Sequence, residues 1–216
     1  MFITTFIIVA TIIYIFYARR LFYTWGATDA EVKSKLPGDE IIAKAQGQST
    51  RAITIHAPAA SIWQWLIQIG QGRGGFFSYD WLENLFGLDI HTLDHIVPDL
   101  QHLDVGDQIK FGKNGPIYKV ALVEPDEALV LRVPDQKTLE YADPKSANYY
   151  DATWGFFLHP VDKQTTRLII RGRGAAKTWG GKFANIIASH VSCIMEDRMM
   201  RRVKKLAEKS TRAKTA

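Results

Sequence analysis

From Phe183 to Lys209 an apolar side chain recurs at every third or fourth position: Phe183, Ile187, Val191, Ile194 or Met195, Met199, Val203 and Leu206. That spacing draws one stripe along a helix of about seven turns. Arg198, Arg201, Arg202, Lys205 and Lys209 occupy the rest of its second half, as a solvated face would. An antiparallel sheet with one apolar face needs a cover, and a single long helix provides it.

The chain ahead of this helix reads as that sheet. Arg51, Ile53 and Ile55 alternate with Ala52, Thr54 and His56, the pattern of a first strand beginning at Thr50. Short strands follow at Gln108–Phe111, Ile117–Glu124 and Ala128–Val133, separated by Gly112-Lys-Asn-Gly115 and Pro125-Asp126. Ala152–His159 and Thr165–Arg173 form a hairpin, for an expected sheet of six or seven strands. Between the first strand and the rest, Pro58 opens a helix with Ile62, Trp63, Trp65, Leu66 and Ile69 at helical spacing, and Gly70 ends it. Trp63 and Trp65 are two apart and point in different directions, one to the sheet and the other to the segment that follows.

That segment, Gly70 to Gly87, has four glycines in its first six positions and is then crowded with aromatic and leucine side chains around Arg73, Asp80 and Glu83. It predicts a bend followed by a short helix at the wall or mouth of a cavity. A phosphate loop is excluded, because a helix rather than a strand precedes the glycines and neither nucleotide-binding spacing is complete.

Metal and nucleophile chemistry find no support. His91, Asp94, His95, Asp99, His102 and Asp104 crowd one stretch, but it holds no HExxH and no long helix, so turn capping and local ion pairs explain them. Cys193 is the single cysteine. It excludes internal disulfides and multi-cysteine zinc sites, and His190 lacks an orienting partner that would make the two a catalytic pair. We expect no catalytic residue, metal or cofactor.

The net charge of +5 is unevenly placed: residues 1–28 carry +2, residues 29–182 carry −2 and residues 183–216 carry +5. Basic ends around a slightly acidic body suit an anionic membrane face better than nucleic acid, which is not expected as a partner. Residues 1–18 contain no charged side chain and precede Arg19-Arg20. As a helix they reach roughly 27 Å, close to the hydrocarbon thickness of about 30 Å. A signal peptide fits less well, since no positive segment precedes the run and no small-x-small site follows it. A core helix would show a polar face. The arginines favour the cytoplasmic side for the domain, with Tyr17, Tyr23 and Trp25 as interface anchors. The predicted organisation is a transmembrane anchor over 1–20, an extended connection over 21–49, one α+β domain over 50–210 and a basic tail over 211–216.

The chain resembles the START-like superfamily, also called Bet v 1-like, polyketide cyclase/dehydrase or SRPBCC. More narrowly it resembles bacterial SRPBCC proteins of unassigned function. The likeness is carried by Trp25-Gly-Ala-Thr-Asp-Ala-Glu, Pro37-Gly-Asp-Glu40, Thr50-Arg-Ala-Ile-Thr-Ile, Ala57-Pro58 with Ile62-Trp63-x-Trp65-Leu66, Gln71 to Asn84, Val105-Gly-Asp107 and Met195-Glu-x-x-Met199-Met200. It covers about residues 25–205 and implies the helix-grip fold, a curved antiparallel sheet around a long C-terminal helix. It also implies a hydrophobic small molecule or lipid held between helix and sheet; a minority of the superfamily are cyclases or hydrolases. In that fold Gly72–Leu82 would close one end of the cavity, with Phe76, Tyr79 and Trp81 near it. Trp154, Phe156, Ile187 and Val191 would form walls, and Arg73, Glu83, Arg132 and Arg171 are candidates for a polar cluster that orients the ligand.

Overall fold

The computed structural model describes residues 19–215 and, ahead of them, Phe2, Thr5, Phe6, Val9, Thr11 and Tyr14. The spanning helix predicted over residues 1–18 falls largely outside the described residues, and among the described residues no helix is long and apolar enough to cross a membrane. Two short helices, α1 (Arg19–Thr24) and α2 (Asp29–Lys33), and a 3-10 turn (Asp39–Ile42) lead into β1 (Gly47–Ile55). Next come α3 (Ala59–Leu66), α4 (Asp80–Leu85), β2 (Gln108–Lys110), β3 (Ile117–Glu124) and β4 (Ala128–Arg132). The hairpin β5 (Tyr150–Asp162) and β6 (Thr165–Ala176) then leads to α5 (Trp179–Thr215).

The strands form one curved antiparallel sheet in the order β1-β6-β5-β4-β3-β2. With α5 packed across one face against β1 and β6, this is the helix-grip arrangement. The inner core joins Ile55, Ile62, Leu129, Phe156 and Ile170 to Met199, Met200 and Val203 of α5. Only the second half of α5 is seated there. Phe183, Ile186, Ile187, Val191 and Ile194 remain exposed, so the first half overhangs the sheet rather than packing on it.

Residues 21–49, expected to be extended, carry more structure than that. They cover the outer face of the sheet, where Leu36 joins Ala52, Val130, Phe157 and Ile169 in a second small core. Thr28 and Glu31 form a reciprocal capping box that starts α2. Glu31 also takes both ends of the Arg167 guanidinium, at 2.7 and 3.0 Å. Arg171 reaches into the same layer, donating to Asp39 at 2.7 Å and to the Ser34 and Glu31 carbonyls at 2.8 and 2.7 Å. Alternation along β6 dictates this, because Arg167, Ile169 and Arg171 share the face opposite Leu168 and Ile170.

Candidate functional site: a cavity under the overhanging helix

The glycine-rich bend is built by close backbone approach. Gly70 and Gly75 exchange both backbone hydrogen bonds at 3.0 Å. A Cβ on Gly74 would lie 2.7 Å from the Gln68 carbonyl oxygen. Gly75 has φ +74° and leaves a Cβ only 2.6 Å from the Thr92 Cα, so neither position has room for a side chain. The bend delivers Phe77 edge-on against Trp65, ring centroids 5.9 Å apart. It also delivers Ser78 to α5, where its hydroxyl donates to the Met195 carbonyl at 3.2 Å.

In α4 the three polar side chains divide their work. Asp80 accepts from the Thr92 hydroxyl and amide at 2.6 and 2.9 Å. Asn84, one turn on, exchanges hydrogen bonds of 2.8 and 2.6 Å with the Ile90 backbone. Both pin the returning loop to the helix. Glu83 instead turns inward, is 7% exposed and leaves a buried Oε2 with no hydrogen-bond partner.

Where α5 overhangs the sheet it borders a half-open cavity of about 1050 Å³. Ser189, Ser192, Met195, Glu196 and Met199 form the roof, and Ala152, Trp154 and Gly172 lie on the sheet side. One flank is aromatic: Phe76 to Phe111, Phe111 to Tyr118 and Phe111 to Trp154 have ring centroids 4.7, 4.2 and 5.4 Å apart. Glu83 and Leu88 also line the cavity, as do Arg20 and Tyr23 of α1 and the start of β1.

Two carboxylates therefore reach the cavity, in opposite conditions. Glu196 is bonded to Arg51 at 2.6 Å and to the Trp154 indole N–H at 2.9 Å. Burial still pushes its carboxyl up, against the charge of Arg51. Glu83 has no such partner. Burial, with the Asp80 charge adding and Arg202 opposing, pushes it up to about 7. Burial also raises the Tyr118 phenol above the ordinary tyrosine range, so that hydroxyl stays protonated and can donate. A carboxyl that exchanges its proton near neutrality, at a cavity that a protonated phenol also lines, can accept a hydrogen bond, hold a cation or move a proton.

Of the residues predicted for the site, Phe76, Glu83, Trp154 and Val191 line the cavity. The others lie elsewhere. The Arg73 guanidinium donates to the Ile67 and Leu100 carbonyls at 3.0 Å each and holds the loop together. The Tyr79 ring lies under Arg198, 5.6 Å away, and Trp81 is 69% exposed. Arg132 pairs with Asp151 at 2.6 Å and sits over Tyr141. Phe156 is shut inside the core, Ile187 is half-exposed on α5, and Arg171 serves the outer face.

Ser78, Phe111, Tyr118 and Glu196 line the cavity without having been predicted, and Arg51 underlies Glu196. Two of these left a signal. Arg51 alternates in phase with Ile53 and Ile55, and Glu196 falls three and seven residues before Met199 and Val203. A charge at a buried phase asks for a buried partner. The three histidine–aspartate groupings are local surface pairs, His91 with Asp89, His95 with Asp94 and His102 with Asp104. Among the described residues no group of three or more His, Cys, Asp or Glu is placed to hold a metal ion.

The six-stranded antiparallel sheet with the long last helix across it makes a helix-grip-like fold. No family model matches the chain, and no curated protein matches it. Among solved structures it is similar to the norcoclaurine synthase of Thalictrum flavum, with 14% identity over 81% of this chain and 93% of that one, TM-score 0.45. It is similar to the Zhui aromatase/cyclase of a Streptomyces species, with 13% identity over 77% and 96%, TM-score 0.45. A conserved protein of Geobacillus kaustophilus shares 14% identity over 76% and 97%, TM-score 0.42.

Proposed function

We propose that this protein holds a hydrophobic small molecule or lipid, without converting it, in the cavity between α5 and the sheet. Residues 1–20 tether it to a membrane with the domain on the cytoplasmic side. The supporting observation is the cavity itself, about 1050 Å³, at the upper end of the roughly 300–1,000 Å³ common for ligand sites. A domain serving only as a scaffold would fill this space with its own aromatics. Apolar burial supplies the affinity, and a few polar groups supply the orientation. Extraction in mild detergent followed by native mass spectrometry tests the reading: a retained small molecule is the expected result, and repeated empty protein would sink it. Carbonate washing tests the tether, which release of the full chain into the soluble fraction would refute.

Glu83 favours a second reading, an acid–base enzyme acting on a hydrophobic substrate, of the cyclase or hydrolase kind. A carboxyl at about 7 is suited to proton transfer at neutral pH. Under this reading Glu83→Gln protein would retain a different molecule, the unconverted substrate, from the one found in the wild type. The same molecule in both favours binding alone.

A further inference from the structure

The two carboxylates at the cavity are in contrast. Glu196 is matched by Arg51 at 2.6 Å and Trp154 at 2.9 Å, so its charge is satisfied inside the protein. Glu83 is buried too, though less deeply than Glu196, yet its Oε2 meets no donor among the described residues. The neighbouring groups that could have served it are engaged elsewhere. On its own helix, Asp80 is bonded to Thr92. From α5, the Arg202 guanidinium lies 4.0 Å from Asp80 and forms no ion pair with Glu83, while Met195 and Met199 bring no charge. Ser78 gives its hydroxyl to the Met195 carbonyl. From the β2–β3 side come Phe111 and Tyr118, which carry no positive charge. A buried acceptor without a donor is costly and uncommon in native proteins, and Glu83 is among the residues that line a space large enough for a ligand.

We propose that Glu83 makes the cavity selective for amphiphiles whose apolar body ends in a protonated amine, with the ammonium seated on the buried carboxylate. This rests on the binding reading above and adds the chemical class of the ligand. An ammonium offers three N–H donors and a full charge, matching an oxygen that meets no hydrogen-bond donor among the described residues. Phe76, Phe111 and Trp154 line the same cavity, and aromatic rings attract a cation and cover an apolar body. A fatty acid or phosphate headgroup placed there would meet Glu83 and Asp80 with like charge. A neutral alcohol could donate one hydrogen bond but would leave the charge unmatched.

Three probes with one apolar body separate the possibilities: 6-phenylhexylamine, 6-phenylhexanol and 6-phenylhexanoate, titrated calorimetrically into the full-length protein in detergent. The wild type is expected to bind the amine about tenfold or more tightly than the alcohol; the carboxylate probe reports on Arg20, Arg173 and Lys182, which line the same cavity. At pH 6 amine binding should release a proton, seen as a heat that varies with the ionisation enthalpy of the buffer. In Glu83→Gln the amine preference over the alcohol and the proton release should both disappear. Glu83→Leu gives the same reading should the glutamine find a bond of its own. Equal binding of amine and alcohol to the wild type, or an amine preference that survives both substitutions, would overturn the assignment and leave the cavity-binding reading standing. Failure of all three probes to bind would count against both.

Discussion

Arg51 of β1 and Glu196 of α5 form an ion pair of 2.6 Å with side chains 0% and 3% exposed. Arg51 also donates to the Phe22 carbonyl of α1, at 2.6 and 2.9 Å, and to the Ser189 carbonyl of α5, at 2.8 Å. One guanidinium thus ties the edge strand, the first helix and the overhanging half of α5 together where the helix leaves the core. The pair is therefore positioned to hold the cavity open rather than to add net stability, since desolvation offsets most of what a buried pair gains.

Breaking the pair from one side should cost far more than replacing both members. Arg51→Met leaves Glu196 buried and unmatched, with an expected loss of about 3–5 kcal/mol. Arg51→Met with Glu196→Met should recover most of that loss. Denaturant unfolding of both variants against wild type checks this; equal losses would show that the carbonyl contacts of Arg51, not the ion pair, dominate.

Glu83 makes stability depend on pH near neutrality. Its carboxyl rises from 4.5 to about 7 on folding, so the folded state binds the proton more tightly than the unfolded chain. The stabilisation is complete below pH 4.5 and is lost as pH rises through 7. Each tenfold change in proton affinity corresponds to about 1.4 kcal/mol. Glu83→Gln should therefore gain stability relative to wild type between pH 5 and pH 8, read as a widening Tm difference. A constant difference across that range would place Glu83 in a solvated environment.

Glu31 has the opposite sign. Its hydrogen bond to Arg167, supported by the Thr28 amide, holds its carboxyl down from 4.5 to about 2. Its contribution is present above pH 4.5 and lost as pH falls through 2. Glu31→Gln should lower stability by about 1–3 kcal/mol at pH 7 and converge on wild type near pH 2. Thermal unfolding across pH measures the convergence.

The bend that walls the cavity should not accept a methyl group. At Gly75 a Cβ would stand 2.6 Å from the Thr92 Cα at φ +74°, so Gly75→Ala combines backbone strain with a clash against main chain. A loss of about 2–4 kcal/mol is expected. Gly72→Ala is the control: its φ is +72° but nothing lies within 4 Å, so only the conformational cost of about 1 kcal/mol applies. Similar losses in both would show that the approach to Thr92 is not the constraint.

Most of the architecture was legible because its signals are local. Alternation predicted strands at Ile117–Glu124 and Thr165–Arg173, which appear as Ile117–Glu124 and Thr165–Ala176. The three-and-four spacing predicted the long last helix, which runs from Trp179 to Thr215. Residues 21–49 were less legible. Their short helices are held by Arg167 and Arg171 from a strand more than 100 positions later, and no local pattern announces such contacts.

The site divided along the same line. By itself the sequence determined a glycine bend followed by a short helix over Gly70–Gly87, a turn read within a few residues; that Phe76, Glu83, Trp154 and Val191 would line a cavity came from the family resemblance. Only the tertiary structure decided which charges are spent. Arg73 is held by backbone carbonyls, Arg132 and Arg171 are paired with the carboxylates of Asp151 and Asp39, and Glu196 is paired with Arg51 of the first strand. Glu83 alone among the predicted polar residues lines the cavity, with a buried oxygen left unpaired. Pairing is a property of three-dimensional proximity, and Coulomb attraction and hydrogen bonds act over a few ångströms of space however many residues lie between the partners.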